Sequence, residues 1–186
     1  MDVTRILEAD HRRAEQLIGN INRHKGDART EYIDCLADML RKHMELEETV
    51  VYGVMKEVLG EESVKEANTE HELARKALAD VLRLAPDEPG FGAALDALEA
   101  GLSHHIGEEE SDVWPELRKN KEGMAAMATP FMEKRLELGM EMTAPALADA
   151  FTKDELVKEA ESAGVEAPST MNKSELAEAL VAKMAS

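Results

Sequence analysis

Between residues 3 and 118 apolar positions recur every three or four residues, with few alternating β-branched runs. That period belongs to helices burying one face, so the segment reads as all-α. Four stripes can be traced. They run through Leu7, Ala14, Ile18 and Ile21; through Tyr32, Leu36, Met39, Leu40, Val50 and Val54; through Val64, Ala67, Ala74, Leu78 and Val81; and through Phe91, Leu95, Leu98, Leu102 and Val113. The gaps between them carry stop signals. His24-Lys25-Gly26 joins a basic last turn to a helix-ending glycine, Leu59-Gly60 repeats that ending, and Pro86 to Gly90 supplies proline and glycine together. Short connections favour antiparallel neighbours, so the pattern predicts an up-down-up-down four-helix bundle.

After Pro115 the pattern changes. Residues 121–143 are Met-rich and interrupted by Pro130, and Ala144-Pro145 marks a further break, which predicts an extra helix or two on the bundle. Residues 152–163 and 172–184 read as two short helices joined by a Gly164, Pro168, Ser169, Thr170 connector. The expected organisation is a bundle over 1–120, an additional helical segment over 121–150 and a small helical tail over 151–186.

Charge narrows the function classes. The chain holds 22 Lys+Arg against 39 Asp+Glu, a formal charge of −17, and only 3% of its residues are aromatic. Such a chain repels phosphate backbones and has little for base stacking, which argues against general nucleic-acid binding. The single cysteine, Cys35, cannot form an internal disulfide, and the opening MDVTRILEADHRR has no apolar signal segment. With no apolar run of membrane-spanning length either, the expectation is a cytoplasmic protein that does not enter membranes.

An internal duplication carries the chemistry. Asp10-His11 opens one half and Glu70-His71 the other; His43-x-x-x-Glu47-Glu48 closes the first, and His105-x-x-x-Glu109-Glu110 closes the second. His11, His43, His71 and His105 each fall on the apolar stripe of their helix, and Glu47 and Glu109 follow one turn later, where a leucine would be expected. Burying two carboxylates and four imidazoles without partners is unfavourable by several kcal/mol or more. A pair of cations answers that cost, since neutral imidazole and carboxylate suit Fe, Mn or Zn, and no cysteine accompanies them as in closed zinc sites. An i, i+4 His-Glu pair places both side chains on one helix face, roughly 6 Å apart at Cβ. Six protein ligands leave open positions on two metals for water, dioxygen or peroxide.

On these residues, together with Val113-Trp114-Pro115, the first 120 residues resemble the hemerythrin family, specifically the bacterial HHE cation-binding type. The resemblance implies a four-helix bundle holding a non-haem, oxo- or hydroxo-bridged di-iron centre. In it Glu47 and Glu109 would bridge, and His11, His43, His71 and His105 would be terminal ligands. It also implies dioxygen binding, sensing or peroxide chemistry. The sequence departs from the classical oxygen carriers at one point. Those pair the histidine at position 71 with another four residues away, and here Ala67 and Arg75 stand in those places. A more open iron site follows, which moves weight from oxygen carriage to peroxide turnover or redox sensing. A ferritin-like site needs two Glu-x-x-His motifs, and only Glu8 to His11 fits.

Other residues receive plainer expectations. His104 has Glu108 four residues on, but it lies on the thinner stripe, which places it in a supporting or surface position. His24 is expected at its helix C-terminus. Glu48 and Glu110 are expected in solvent, Tyr52 and Trp114 in packing, and Cys35 as a small buried apolar residue. Met124, Met127, Met132, Met140 and Met142 are expected to be adaptable core filling. The tail, with its repeated Lys-x-Glu-Leu, resembles the helical modules of the SAP and Rho N-terminal type, whose relatives bind nucleic acid. Its excess of acidic residues argues instead for a docking or dimerisation role. The expected function is therefore peroxide decomposition, catalase-like, at a di-iron site, with an oxygen, nitric oxide or iron sensor signalling through the tail as the alternative.

Overall fold

The computed structural model describes residues 2–140 and 143–184, the side chain of Met184 excepted, so Met142 lies outside the described residues. Among these residues there is no strand. Helix α1 (Val3–Arg23) runs antiparallel to α2 (Thr30–Leu46), which continues through a π-turn (Glu47–Val51) into α3 (Tyr52–Leu59). The second half repeats this plan: α4 (Glu61–Arg83), then α5 (Phe91–Glu108), a π-turn (Glu109–Val113) and α6 (Trp114–Leu117). Helices α7 (Lys121–Glu137), α8 (Ala144–Ala150), α9 (Lys153–Ser162) and α10 (Lys173–Met184) follow. The result is an all-α four-helix bundle with extra C-terminal helices.

The sequence signals act at the predicted ends. Asp2 caps α1 by accepting from the Thr4 amide at 3.1 Å, and the His24 ring closes it, with Nδ1 2.7 Å from the Asn20 carbonyl. Gly60 separates α3 from α4 at φ 93°, ψ 174°, a conformation that a Cβ strongly disfavours. Pro130 does not break α7, contrary to the interruption read from the sequence. The hydrogen bond that proline forfeits would go to the carbonyl of Ala126, and both residues lie on the exposed side, where water can replace it. Thr152 and Glu155 form a reciprocal capping box at the start of α9.

Burial explains why the bundle holds and where the chemistry must lie. One apolar core, containing Ile18, Leu36, Leu40, Leu78, Phe91 and Leu98, fills the end of the bundle near the α1–α2 and α4–α5 loops. A second, containing Ile6, Leu7, Leu46, Trp114, Met127 and Phe131, fills the other end and extends into α8, α9 and α10 through Leu147, Leu156 and Leu176. Met124, Met127 and Met140 are buried in it, as expected of adaptable filling, and Met132 packs against it partly exposed. Cys35 lies outside both: it is exposed, because it sits one position off the buried Leu36 line. Between the two cores every long helix changes from apolar to polar at the same level. His11 falls between Leu7 and Ala14, His43 and Glu47 between Leu40 and Val51, His71 between Ala67 and Ala74, and His105 and Glu109 between Leu102 and Trp114.

Candidate metal centre

That polar layer is almost dry. His11, His43, Glu47, His71, His105 and Glu109 are at most 5% exposed. Atoms of His11, His43, Glu47 and Glu109 form one group, and of Glu47, His71 and His105 a second, each with its ligand atoms within 4.8 Å of one another. Glu47 belongs to both groups: Oε1 lies 3.1 Å from His43 Nε2 and Oε2 lies 3.3 Å from His71 Nε2. Glu109 spans the same divide on the other side, with Oε2 3.2 Å from His11 Nε2 and 3.6 Å from His105 Nε2. All six residues expected from the sequence are thus brought together.

Few of these approaches are hydrogen bonds. His11 Nε2, both ring nitrogens of His43, both oxygens of Glu47 and Oε2 of Glu109 are buried without a hydrogen-bond partner. Unpartnered groups of this kind are costly, and a converging set of lone pairs is the donor set that Fe, Mn or Zn would take. The residues fit a metal pair. The electrostatics agree. Burial opposes the charge on Glu47, yet His43 and His71 overcome it and hold that carboxyl well below its ordinary range. Burial and the neighbouring Glu47 charge push Glu109 well above its own. Burial and the His43 charge bring His11 down to about 4, and burial likewise lowers His105. His43 goes the other way: burial disfavours its charge, but Glu47 and Asp10 raise it well above the ordinary value. Burial and the Glu47 charge both act against an ionised Glu109, and added positive charge would oppose them.

Around this set lies a ring of carboxylates that the sequence reading left in solvent or gave no role. Glu110 is 2.9 Å from His11 Nδ1, Glu48 is 2.7 Å from His71 Nδ1, and Glu70 is 2.8 Å from His105 Nδ1. Asp10 faces His43 Nδ1 at 3.7 Å, beyond hydrogen-bond range. An Nδ1–H donated to a carboxylate leaves Nε2 as the free lone pair and fixes the ring's direction. The pattern obeys the duplication. In each half the acid preceding the first histidine serves the HxxxE histidine of the same half, and the glutamate following the inward one serves the first histidine of the other half. The π-turns begin at Glu47 and Glu109, and the Tyr52 and Trp114 amides accordingly reach back five residues to those carbonyls.

Three of the four carboxylates are held from outside by arginine: Glu110 by Arg12, Glu48 by Arg75 and Asp10 by Arg135. The fourth, Glu70, has His104 instead, at 3.4 Å, and His104 also approaches Glu108 at 3.2 Å. The His104 side chain is 66% exposed, as its surface position predicted. Tyr52 does more than pack. Its hydroxyl is buried 3.2 Å from both ring nitrogens of His71, and burial together with the Glu47 and Glu109 charges pushes its pKa upward. Its counterpart Trp114 is fully buried. Glu8 takes no part and accepts from Arg118. A cavity of about 20 Å³ opens among the four histidines, walled by Leu40, Met44, Leu102 and Ile106.

The profile of the hemerythrin HHE cation binding domain matches residues 2–117. The chain belongs to the hemerythrin HHE cation-binding family. An uncharacterized hemerythrin-like protein of Schizosaccharomyces pombe is 33% identical over 138 residues, 69% of this chain and 68% of its own length. A DNA nickase of a Nostoc species is 23% identical over 121 residues, 64% of this chain. That match spans about a third, 34%, of the nickase. No solved structure gives a significant match. Hemerythrin-like membership agrees with the two His/Glu groups in the polar layer, which could hold cations. None of the described helices is long and apolar enough to cross a membrane.

Proposed function

We propose that this hemerythrin-like chain holds a pair of iron ions between His11, His43, Glu47, His71, His105 and Glu109, and that it binds dioxygen or peroxide there, with peroxide decomposition the favoured reaction. The observation that carries the reading is the set of buried, unpartnered nitrogen and oxygen atoms facing one another across Glu47 and Glu109. Manganese and zinc suit the same donors, so iron rests on the family. A bound iron pair supplies Lewis acidity and redox capacity toward oxygen species.

The chain's own residues do the rest. Glu48, Glu70 and Glu110 accept the Nδ1 protons of His71, His105 and His11 and keep the Nε2 lone pairs directed inward. Glu47 and Glu109 would serve both ions, one held with His11 and His43 and the other on the side of His71 and His105. Tyr52 stands on that side and keeps its proton on Oη, as a hydrogen-bond donor to a small oxygen ligand beside His71. The cavity of about 20 Å³ is the size of one small ligand, and its apolar walls exclude bulk water. Disproportionation of peroxide to water and dioxygen balances without an external electron donor. Peroxide decay on iron-loaded protein should fall in both His71→Ala and Glu47→Ala; equal rates in all three proteins would end this reading.

A second reading is favoured by the packing of the tail. Arg5 of α1 reaches Glu155 of α9 at 2.7 Å and the Ala150 carbonyl at 3.4 Å, and α1 carries Asp10 and His11. In this reading the centre senses oxygen, nitric oxide or iron status and passes it to a protein partner or second copy bound through residues 151–186. Truncation after Asp149 should then remove the partner while peroxide decay persists. The formal charge of −17 argues against carrying over a DNA-directed role from the Nostoc relative. A lone cysteine is consistent with a cytoplasmic setting.

A further inference from the structure

Acids line both flanks of the polar layer, but arginines balance them on one flank only. Beside α1, a cleft of about 930 Å³ is lined by Arg5, Arg12, Arg13 and Arg135 among its acids. Across the bundle, a cleft of about 280 Å³ between α3, α4 and the end of α5 is lined by Glu66, Glu70, Glu108, Glu109 and Asp112 and by no lysine or arginine. At this flank the arginine that holds each of the other three carboxylates is replaced by His104. His104 Nε2 lies 3.4 Å from Glu70 Oε1 and 3.2 Å from Glu108 Oε1, and the three side chains have ligand atoms within 4.8 Å of one another.

This trio reproduces, one residue earlier on α5, the His-x-x-x-Glu spacing of the buried set. Two further facts tie it to the buried layer. Glu70 has one carboxylate oxygen toward His104 and the other on His105 Nδ1, so it touches the surface trio and the buried layer at once. Glu109, 3% exposed, lines the same acidic cleft while its Oε2 faces His11 and His105, so a residue of the buried layer stands between that layer and the cleft. A low-dielectric cleft lined by one sign of charge raises the local concentration of its counter-ion.

We propose that His104, Glu108 and Glu70 form an uptake site for a divalent transition-metal cation, which passes along the acidic cleft to Glu109 and the buried centre. The donor set, one imidazole and two carboxylates open to water, suits ions that exchange readily, such as Fe²⁺, Co²⁺ or Mn²⁺. The transit step rests on the metal-centre reading above; binding at the surface trio does not.

Cobalt tests both parts on the full-length, metal-free protein. Equilibrium dialysis against Co²⁺ should show one ion fewer per chain in His104→Ala with Glu108→Gln than in wild type. Stopped-flow absorption should show the buried sites of that variant filling roughly tenfold more slowly, to the wild-type end point. Glu178→Gln, an exposed charge on α10, should change neither. Glu47→Gln with Glu109→Gln should lose the buried ions and keep the surface one. If that last variant binds as much cobalt as wild type, the metal-centre reading fails while the surface site stands. Unchanged cobalt count and filling rate in His104→Ala with Glu108→Gln would overturn the uptake site.

Discussion

Glu110 accepts from His11 Nδ1 at 2.9 Å, and Arg12 holds it there. Replacing Glu110 with alanine removes a hydrogen bond to a charged group, worth about 1.5–3 kcal/mol. Its carboxylate is 28% exposed, so solvent screening puts the loss at the lower end, and binding of the ion next to His11 should weaken roughly tenfold. Glutamine keeps an acceptor oxygen but not the charge, and charge-assisted bonds are about twice as strong as neutral ones, so Glu110→Gln should cost only about threefold. The duplication supplies the internal control: Glu48→Ala should weaken the ion beside His71 in the same way, since that contact is 2.7 Å. Competition between loaded protein and a chromogenic chelator measures all three. Wild-type affinity in Glu110→Ala, or glutamine proving worse than alanine, would refute the argument that these carboxylates orient the ligands.

Four shorter tests follow. Stripping the ions with a chelator removes binding free energy that only the folded state enjoys, so Tm should drop by about 10 °C, read by calorimetry. Ala67→His places an imidazole one turn before His71 at the edge of the acidic cleft; iron content should hold while peroxide decay falls. Gly60→Ala meets no atom within 4 Å, so its effect isolates backbone strain at φ 93° and should cost about 1–3 kcal/mol in denaturant melts. Finally, hydrogen bonds from Thr152 and then the charge of Arg5 hold the Glu155 carboxyl below its ordinary range. That contribution is complete above the unfolded value near ~4.3 and disappears as pH falls through the lower folded value. Amide exchange in α9 should therefore accelerate selectively at acid pH, and less so in Arg5→Ala.

The sequence made the bundle legible because its stripes, glycines and prolines are local signals that the tertiary structure did not override. The six inward residues were legible for a related reason: a histidine or glutamate on a leucine stripe is anomalous by itself. The outer carboxylates were not, because Glu48 and Glu110 look like ordinary solvent-facing acids under a 3.6-residue repeat, and nothing in that repeat marks the π-turns at 47–51 and 109–113 in which they sit. A signal was present all the same. Asp10 and Glu70 precede the first histidine of each half, and Glu48 and Glu110 follow the inward glutamate of each half. Tyr52 was undervalued for the same reason, since it directly follows the first π-turn. Cys35 failed differently: its residue type suggests burial, but its place one step off the buried Leu36 line decides the exposure.

The wide turns have a consequence for how the chain can vary. Each holds one more residue than ordinary winding would, so everything downstream is rotated by roughly 100° relative to an uninterrupted helix. Deleting a single residue within 48–51 would undo that phase shift. Tyr52 would swing off His71, and Met55, buried at 3% exposure, would move toward solvent, although no side chain of the buried layer had been exchanged. The centre should accordingly endure many replacements around its rim and almost no change in residue count between His43 and Tyr52, or between His105 and Trp114.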